Sequence, residues 1–178
     1  MFRKHGSSLS FYATRTRLFS ISARNQSNRA IVYSQHSQPA DVVRALTIPS
    51  LPAPPPQTVN VRFILSPINP ADVNVIEGVY PTKPRPLTFP GVEGGAVMFV
   101  GGNEGLAEVT RVGEGVEGLG RGDWVAMRAS QVGTWRSAAN VREAHLLKVP
   151  RLRGLSEVNA ATMMVRAFLQ RVTPPPLA

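Results

Sequence analysis

The sequence predicts a small, mainly β domain that is built as a barrel or a sandwich. After residue 30 most of the chain reads as short β-prone runs, and helical spacing is limited to two segments. Every glycine except Gly6 lies between Gly78 and Gly154, so turns are dense in that part of the chain. Short strands joined by glycine-rich turns are typical of this fold class, and 178 residues give room for one domain of ordinary size.

The strands are predicted from apolar runs and from alternation. We predict them over residues 30–34, 42–48, 58–65, 106–112, 123–128 and 134–141, with a proline-rich loop over 49–56 and a long loop over 81–102. The run 58–65 alternates most clearly. Its two predicted faces are Val59, Val61, Phe63 and Leu65 on one side and Thr58, Asn60 and Arg62 on the other.

Two helices are predicted from spacing and from capping residues. Residues 70–76 read as a short helix with Pro70 in its first turn and Gly78 at its end. Residues 156–172 have helical spacing, and Ser156 is the candidate N-cap. The predicted apolar face of this second helix consists of Val158, Ala161, Val165, Phe168, Leu169 and Val172.

Charge is concentrated at the two ends of the chain. The sequence has a net charge of +9, but residues 41–150 contain as many acidic as basic side chains, so we expect no nucleic-acid partner. There is no cysteine, which excludes disulfides, thiolate metal sites and thiol catalysis. No run approaches the roughly 20 apolar residues that cross a bilayer, so we predict no membrane span.

The N-terminus has the composition of a targeting segment. Residues 1–29 are rich in arginine and serine, contain no acidic residue and have scattered apolar side chains. These features are typical of a mitochondrial import peptide, whereas a secretory signal needs a continuous apolar block. We therefore expect a transit peptide and a location in the mitochondrial matrix, with a disordered basic tail as the alternative.

One glycine motif is misleading. Gly113, Gly115 and Gly118 match the GxGxxG dinucleotide fingerprint and follow a predicted strand. The fingerprint requires a helix directly after it, and the next residues, 119–123, cannot begin one. We interpret these glycines as turn residues, and likewise predict a tight turn for the adhesion-like tripeptide at residues 121–123.

Two ordered blocks resemble known families. Gly102-Asn103-Glu104-Gly105, followed by Val109, Val112-Gly113, Val116, Gly122-Asp123 and Val125, resembles the signature of the medium-chain dehydrogenase/reductase superfamily, whose members share an N-terminal chaperonin-10-like (GroES-like) β-barrel. The blocks PINPADVN at residues 67–74 and IEGVYP at residues 76–81 resemble the mitochondrial 2-enoyl thioester reductases, and Gly133-Thr134-Trp135 fits the same family. The resemblance covers residues 31–165.

The resemblance implies a fold, domain boundaries and an activity. We expect an import peptide over residues 1–29, a partly open GroES-like barrel over 30–154, and a linker helix with a tail unlike the family over 155–178. The implied activity is NADPH-dependent reduction of trans-2-enoyl thioesters, carried by acyl carrier protein or by coenzyme A, in mitochondrial fatty-acid synthesis. Two alternatives stay open: a non-catalytic GroES-like binding module and a fragment of a zinc-independent quinone reductase.

The resemblance also implies roles for individual residues. It places the proton donor at Tyr80, and a phenol with an ordinary pKa near 10 is protonated at neutral pH and can donate. The alternative is a tyrosine packed on the barrel with its hydroxyl in solvent. Asn74 is a candidate for orienting the substrate or for capping a helix turn, and Trp135 for lining the acyl pocket or for packing in the core.

The resemblance predicts no metal site and no nucleotide site in this chain. Asn103 stands where zinc-dependent relatives carry a metal-ligating histidine, and a chain without cysteine and with three histidines offers no convincing zinc site. We expect Asn103 and Glu104 to hold the loop to the strand. After Val165 the sequence departs from the family pattern, which continues into a Rossmann domain. We therefore expect this chain alone to be inactive, to bind no NADPH and to lack the contacts through which the family forms homodimers.

Overall fold

The structure is a computed structural model and describes residues 27–89 and 97–164. In chain order its elements are β1 (Asn28–Tyr33), α1 (Pro39–Val42), β2 (Arg44–Ile48), β3 (Thr58–Leu65), α2 (Pro70–Glu77), β4 (Leu87–Thr88), β5 (Val97–Val100), β6 (Leu106–Val112), β7 (Trp124–Met127), β8 (Ala138–Arg142), a short 3-10 helix (Glu143–His145), β9 (Leu146–Val149) and α3 (Glu157–Ala161).

In this described part of the chain the strands form two antiparallel sheets. One sheet has the order β2-β1-β5-β4 and the other the order β8-β3-β6-β7-β9. The sheets are joined where the N–H of Ile31 donates to the carbonyl of Trp135 at 2.8 Å and the N–H of Ser137 donates to the carbonyl of Arg29 at 2.7 Å. Both sheets keep open edges, so the predicted fold class, a mainly β and partly open barrel with short helices, is confirmed.

Each sheet has its own apolar core. Strand β3 lies inside the larger sheet and pairs with both β6 and β8, so its inward side chains are covered from several elements. The core of this sheet includes Val59, Val61, Ala107, Val109, Val125 and Ala139. The core of the smaller sheet is formed by Ala30, Val32, Ile48, Phe89 and Val100.

Burial on β3 does not follow its two faces strictly. Leu65, on the face of Val59 and Val61, is 37% exposed at the end of the strand, whereas Thr58 and Asn60 on the other face are buried. The reason is the proline-rich loop before the strand. Thr58 donates to the carbonyl of Pro55 at 2.8 Å and Asn60 donates to that of Pro52 at 2.6 Å. The loop therefore covers both side chains and supplies hydrogen-bond acceptors for their donor groups.

Several element boundaries differ from the prediction. The predicted strand over residues 42–48 begins later, after the unpredicted helix α1, and the predicted loop over 81–102 contains β4 and β5. The strand predicted over residues 134–141 begins only at Ala138, because Trp135 pairs with Gly101 across the sheets instead of extending the ladder. Strand β9 was not predicted at all. Its pairing with β7 is a long-range contact that no local pattern encodes.

The C-terminal helix begins where the sequence predicts. The hydroxyl of Ser156 accepts from the N–H of Asn159 at 3.2 Å, which confirms the N-cap. The predicted apolar face is confirmed at Ala161, which is buried, and wrong at Val158, which is 61% exposed, because Ala160 packs on the barrel beside Ala161. The remaining predicted face residues, from Val165 onward, lie outside the described residues.

The misleading glycine motif is a turn, as predicted. Residues 113–123 connect β6 to β7 without a helix. The N–H of Gly113 donates to the carbonyl of Thr58 at 2.9 Å, which ties the turn to the neighbouring strand. The predicted tight turn at residues 121–123 is also confirmed, since Asp123 accepts from the N–H of Gly120 at 2.8 Å. This segment therefore supplies no helix N-terminus for a pyrophosphate.

Candidate active site

Tyr80 is held at the C-terminal end of α2 by backbone hydrogen bonds. The carbonyl of Asn74 accepts from the N–H groups of Val79 and Tyr80, at 3.0 and 3.1 Å. The helix ends because Gly78 adopts a left-handed conformation with φ of 81°, which glycine reaches at little cost. Since the Cβ of any other residue at this position would lie 2.8 Å from the Cβ of His36, the turn that places Tyr80 is specific for glycine.

Tyr80 is half-buried and lines a cavity of about 470 Å³. Polar groups come from α2 and from the loop before β6, chiefly Asp72 and Asn103, and apolar ones come from Met127 and Met164. The segment 128–131 closes a further side. A cavity with mixed apolar walls and a few convergent polar groups is the usual form of a small-molecule site.

A hydrogen-bonded network fixes the polar side of this cavity. One oxygen of Asp72 accepts from the amide of Asn103 at 3.1 Å, and the other accepts from the N–H of Asn69 at 2.8 Å. Asn69 in turn donates to Glu104 at 3.1 Å, and Asn103 accepts from the N–H of Gln131 at 2.8 Å. The network therefore joins the start of α2, the loop before β6 and the segment 128–131. Asn103 and Glu104 do hold their loop in place, but through these side-chain bonds they hold it to α2 and to the segment 128–131, not to the strand as the sequence predicts.

Two buried acids near the cavity have shifted pKa values. Burial raises the pKa of Asp72, and the hydrogen bonds from Asn69 and Asn103 oppose that shift. Burial also raises the pKa of Tyr33 to about 12, with a smaller contribution from the charge of Asp72. The Tyr33 hydroxyl is buried and has no hydrogen-bond partner among the described residues, so Tyr33 is a packing residue with an unsatisfied polar atom.

Asn74 and Trp135 lie apart from the Tyr80 cavity. The side chain of Asn74 is exposed, and its contribution to the site is the backbone carbonyl that holds Tyr80. The indole N–H of Trp135 donates to the carbonyl of Pro67 at 3.0 Å, and its ring lies over Gly101 and Gly102. Trp135 instead lines a separate, mainly apolar cavity of about 540 Å³. Substrate contacts by either side chain stay predictions.

The described residues contain no group of three histidine or carboxylate side chains that could ligate a metal. Asn103, which stands where zinc-dependent relatives carry a metal-ligating histidine, uses its amide in the network with Asp72. None of the helices in residues 27–89 and 97–164 has the length and apolar character that crossing a bilayer requires.

Sequence reasoning missed Asp72, Asn69 and the segment 128–131 as parts of the site. For the first two a signal exists, because an asparagine before Pro70 and a carboxylate three residues later form a capping box at a helix start. For the segment 128–131 there is none, since its place beside Tyr80 depends on the folding of both sheets together.

The chain is similar to known reductases. The profile of the alcohol dehydrogenase GroES-like domain matches residues 55–154. The mitochondrial enoyl-acyl-carrier-protein reductase of Schizosaccharomyces pombe is 38% identical over 159 residues, which cover 88% of this chain and 42% of that protein. The Bos taurus protein of the same name is 39% identical over 132 residues, covering 74% of this chain and 32% of the relative. The chain thus spans less than half the length of these relatives.

Solved structures agree with the sequence matches. A complex of Etr1p with NADP and crotonyl-CoA superimposes with a TM-score of 0.75 at 33% identity, over 85% of this chain and 45% of that one. The mitochondrial 2-enoyl thioester reductase Etr1p/Etr2p heterodimer from Candida tropicalis gives a TM-score of 0.70 at 32% identity, over 83% and 44%. A putative NADPH:quinone reductase from Bacillus thuringiensis shares the fold, with a TM-score of 0.64 at 23% identity over 82% and 40%.

Proposed function

The chain belongs to the alcohol dehydrogenase GroES-like domain family, and we propose that it is the substrate-side domain of a mitochondrial NADPH-dependent 2-enoyl thioester reductase. The observation that carries the proposal is the position of Tyr80, whose backbone the Asn74 carbonyl fixes at the wall of a cavity of about 470 Å³. The relatives named enoyl-acyl-carrier-protein reductases and the similar structure that contains crotonyl-CoA support the choice of substrate. We propose residues 30–154 as the extent of this domain.

Within the cavity we propose Tyr80 as the acid that protonates C2 of the enoyl thioester. Of the hydroxyl-bearing residues on the wall, Tyr80, Thr82 and Ser130, only Tyr80 has a phenol, which releases a proton far more readily than an alcohol. The wall also carries the carboxylates of Asp72 and Glu104. Both oxygens of Asp72 accept hydrogen bonds, and Glu104 accepts one from Asn69. When bound, the reduced nicotinamide would supply a hydride to C3.

The other wall residues have supporting roles in this proposal. Met127 and Met164 offer adaptable apolar surface for the acyl chain. The network around Asp72 keeps α2, and with it the Tyr80 turn, in a fixed position relative to the segment 128–131. Such a rigid setting matters because a general acid must lie within hydrogen-bond reach of the atom that it protonates.

A chimera tests the proposed activity. Residues 28–164 would replace the matching segment of the S. pombe reductase, which supplies the rest of the enzyme. We expect the chimera to oxidise NADPH in the presence of crotonyl-CoA, followed by absorbance, because the substrate side is then provided by this chain. A folded chimera that oxidises no NADPH above the background without crotonyl-CoA would contradict the proposal.

We further propose the mitochondrial matrix as the location, since residues 1–40 contain six basic and no acidic side chains and the relatives are named mitochondrial. Most of this segment lies outside the described residues. A fluorescent reporter fused to residues 1–40 is expected to reach the matrix, because import responds to positive charge on an amphipathic segment. The matched control replaces Arg15, Arg17 and Arg24 by glutamine and should stay in the cytosol. A diffuse cytosolic signal from the unmodified fusion would rule the location out.

A further inference from the structure

A second and larger cavity, of about 1050 Å³, adjoins the Tyr80 cavity. Residues 128–131 line both, so this segment is a shared wall. We call the larger cavity the arginine pocket, after the side chains Arg85, Arg128, Arg136, Arg142 and His145 that line it. The role proposed for Tyr80 uses none of its charges.

The arginine pocket is positively charged. Its described lining contains four arginines and one histidine but no aspartate or glutamate. The ion pairs that the structure shows in the described residues involve other cations, namely Arg62, Lys148 and Arg151. Like charges that converge on one concavity repel each other, and an anionic ligand removes that repulsion.

Arg136 is the side chain that most needs such a ligand. Its Nε atom is buried and has no hydrogen-bond partner among the described residues, while its Nη2 donates to the carbonyl of Val132 at 3.0 Å. Burial lowers the pKa of Arg136 to about 10, so the guanidinium still carries its charge at neutral pH. The ion pairs that the described residues form do not include Arg136, and its buried Nε–H donor is left unsatisfied, which is costly.

We propose that the arginine pocket binds the phosphate at the end of the pantetheine arm of the thioester substrate. This inference rests on the proposed function, which puts the thioester of the same molecule in the Tyr80 cavity. Coenzyme A and acyl carrier protein both attach the arm through a phosphate, so one pocket serves either carrier. Guanidinium groups suit it because their planar donors match phosphate oxygens in pairs. The arm would run along residues 128–131, the wall that both cavities share.

Calorimetry on the 178-residue chain with three ligands tests the inference. We expect 4′-phosphopantetheine and coenzyme A to bind and pantetheine, which lacks the phosphate, to bind at least tenfold more weakly, since a charge-assisted contact is worth roughly tenfold to a hundredfold in affinity. Equal affinity for coenzyme A and 4′-phosphopantetheine supports the shared phosphate of both carriers. Tighter binding of coenzyme A than of 4′-phosphopantetheine supports the phosphate site and indicates that coenzyme A, not acyl carrier protein, is the carrier that supplies the phosphate. Equal affinity for pantetheine and 4′-phosphopantetheine would overturn the proposal.

Paired variants link the binding to the pocket. Arg85→Gln/Arg142→Gln removes two exposed charges of the pocket, and Arg136→Gln removes a half-buried one. The control Arg44→Gln/Arg111→Gln removes two exposed charges elsewhere. The pocket double variant should weaken 4′-phosphopantetheine binding about tenfold or more, and the control should leave it within about twofold, as expected for distant screened charges. If the two double variants change the affinity for 4′-phosphopantetheine equally, the site is refuted. This comparison does not depend on whether Arg136→Gln folds.

The chimera separates this inference from the proposed function. In the chimera, Arg85→Gln/Arg142→Gln should raise the KM for crotonyl-CoA and leave kcat nearly unchanged, because the pocket holds the carrier and not the reacting carbons. If the chimera is active and the double variant leaves its KM for crotonyl-CoA unchanged, the phosphate site is overturned and the proposed reaction is not. An inactive chimera with intact phosphopantetheine binding would overturn the proposed reaction and leave the pocket as a phosphate site.

Discussion

Tyr80→Phe in the chimera is expected to lower kcat for crotonyl-CoA reduction by about 10²–10⁴-fold, the usual contribution of a positioned general acid. The substitution keeps the ring that packs beside α2 and removes only the hydroxyl that we propose as the donor to C2. Since this interaction is made while the proton moves, the loss should fall on kcat more than on KM. Steady-state kinetics, together with urea unfolding to confirm an intact fold, measure both effects.

Tyr33→Phe is the matched control for this prediction. Tyr33 is a buried tyrosine that lies in a separate apolar cluster, and its hydroxyl has no partner among the described residues. Removing that hydroxyl should leave kcat within about twofold and leave stability unchanged or slightly higher, because an unsatisfied buried polar group is lost. A Tyr80→Phe enzyme with more than about a third of the parent kcat would rule Tyr80 out as the proton donor.

Gly102→Ala is expected to destabilise the fold by about 2–5 kcal/mol, from left-handed backbone strain and overpacking together. Gly102 has φ of 86°, and a Cβ there would overlap Trp135 Cδ1 and lie 2.5 Å from Thr134 Oγ1. Neither neighbour can move freely. The hydroxyl of Thr134 donates to the carbonyl of Glu104 at 2.8 Å, and the indole of Trp135 donates to Pro67 at 3.0 Å. Urea unfolding of the 178-residue chain gives the change.

Gly122→Ala separates the two causes. Gly122 has φ of 90°, close to that of Gly102, but no atom lies within 4 Å of its Cβ position. It should therefore show only the backbone strain of about 1–2 kcal/mol, and the difference between the two variants is the cost of overpacking. If the two substitutions are equally destabilising, the close packing of Trp135 on Gly102 is not what holds this part of the fold.

The sequence predicts those parts of the fold that local rules control. Helix α2 is predicted because Pro70 and Gly78 mark its two ends, and strand β3 because apolar and polar residues alternate along it. Strand β9 and the late start of β8 could not be predicted, because both depend on partners far away in the chain. The buried Asn60 could not either, since a loop and not the strand pattern covers it.

The candidate site also has parts that the sequence predicts and parts that only the structure reveals. The choice of Tyr80 as the candidate proton donor comes from family resemblance alone. The structure adds the physical reason for its position: the chain turns at the left-handed Gly78, and the Asn74 carbonyl then accepts from the N–H of Tyr80. The arginine pocket could not be predicted from the sequence, because its charged residues are spread from Arg85 to His145 and form no cluster along the chain. A neutral balance over residues 41–150 concealed a locally cationic cavity, since counting charges along the chain cannot show which of them converge.

One measurement tests the central claim most directly: kcat/KM of the chimera for crotonyl-CoA and for a small quinone, under the same NADPH concentration. The quinone reductases share the fold with this chain at 23% identity, so the fold alone does not distinguish the two reactions. If Tyr80 and its cavity serve an enoyl thioester, the chimera should prefer crotonyl-CoA by at least about a hundredfold, because quinone reduction makes no use of a proton delivered to carbon. Reduction of the quinone with equal or greater kcat/KM would contradict the assignment of this chain to an enoyl thioester reductase.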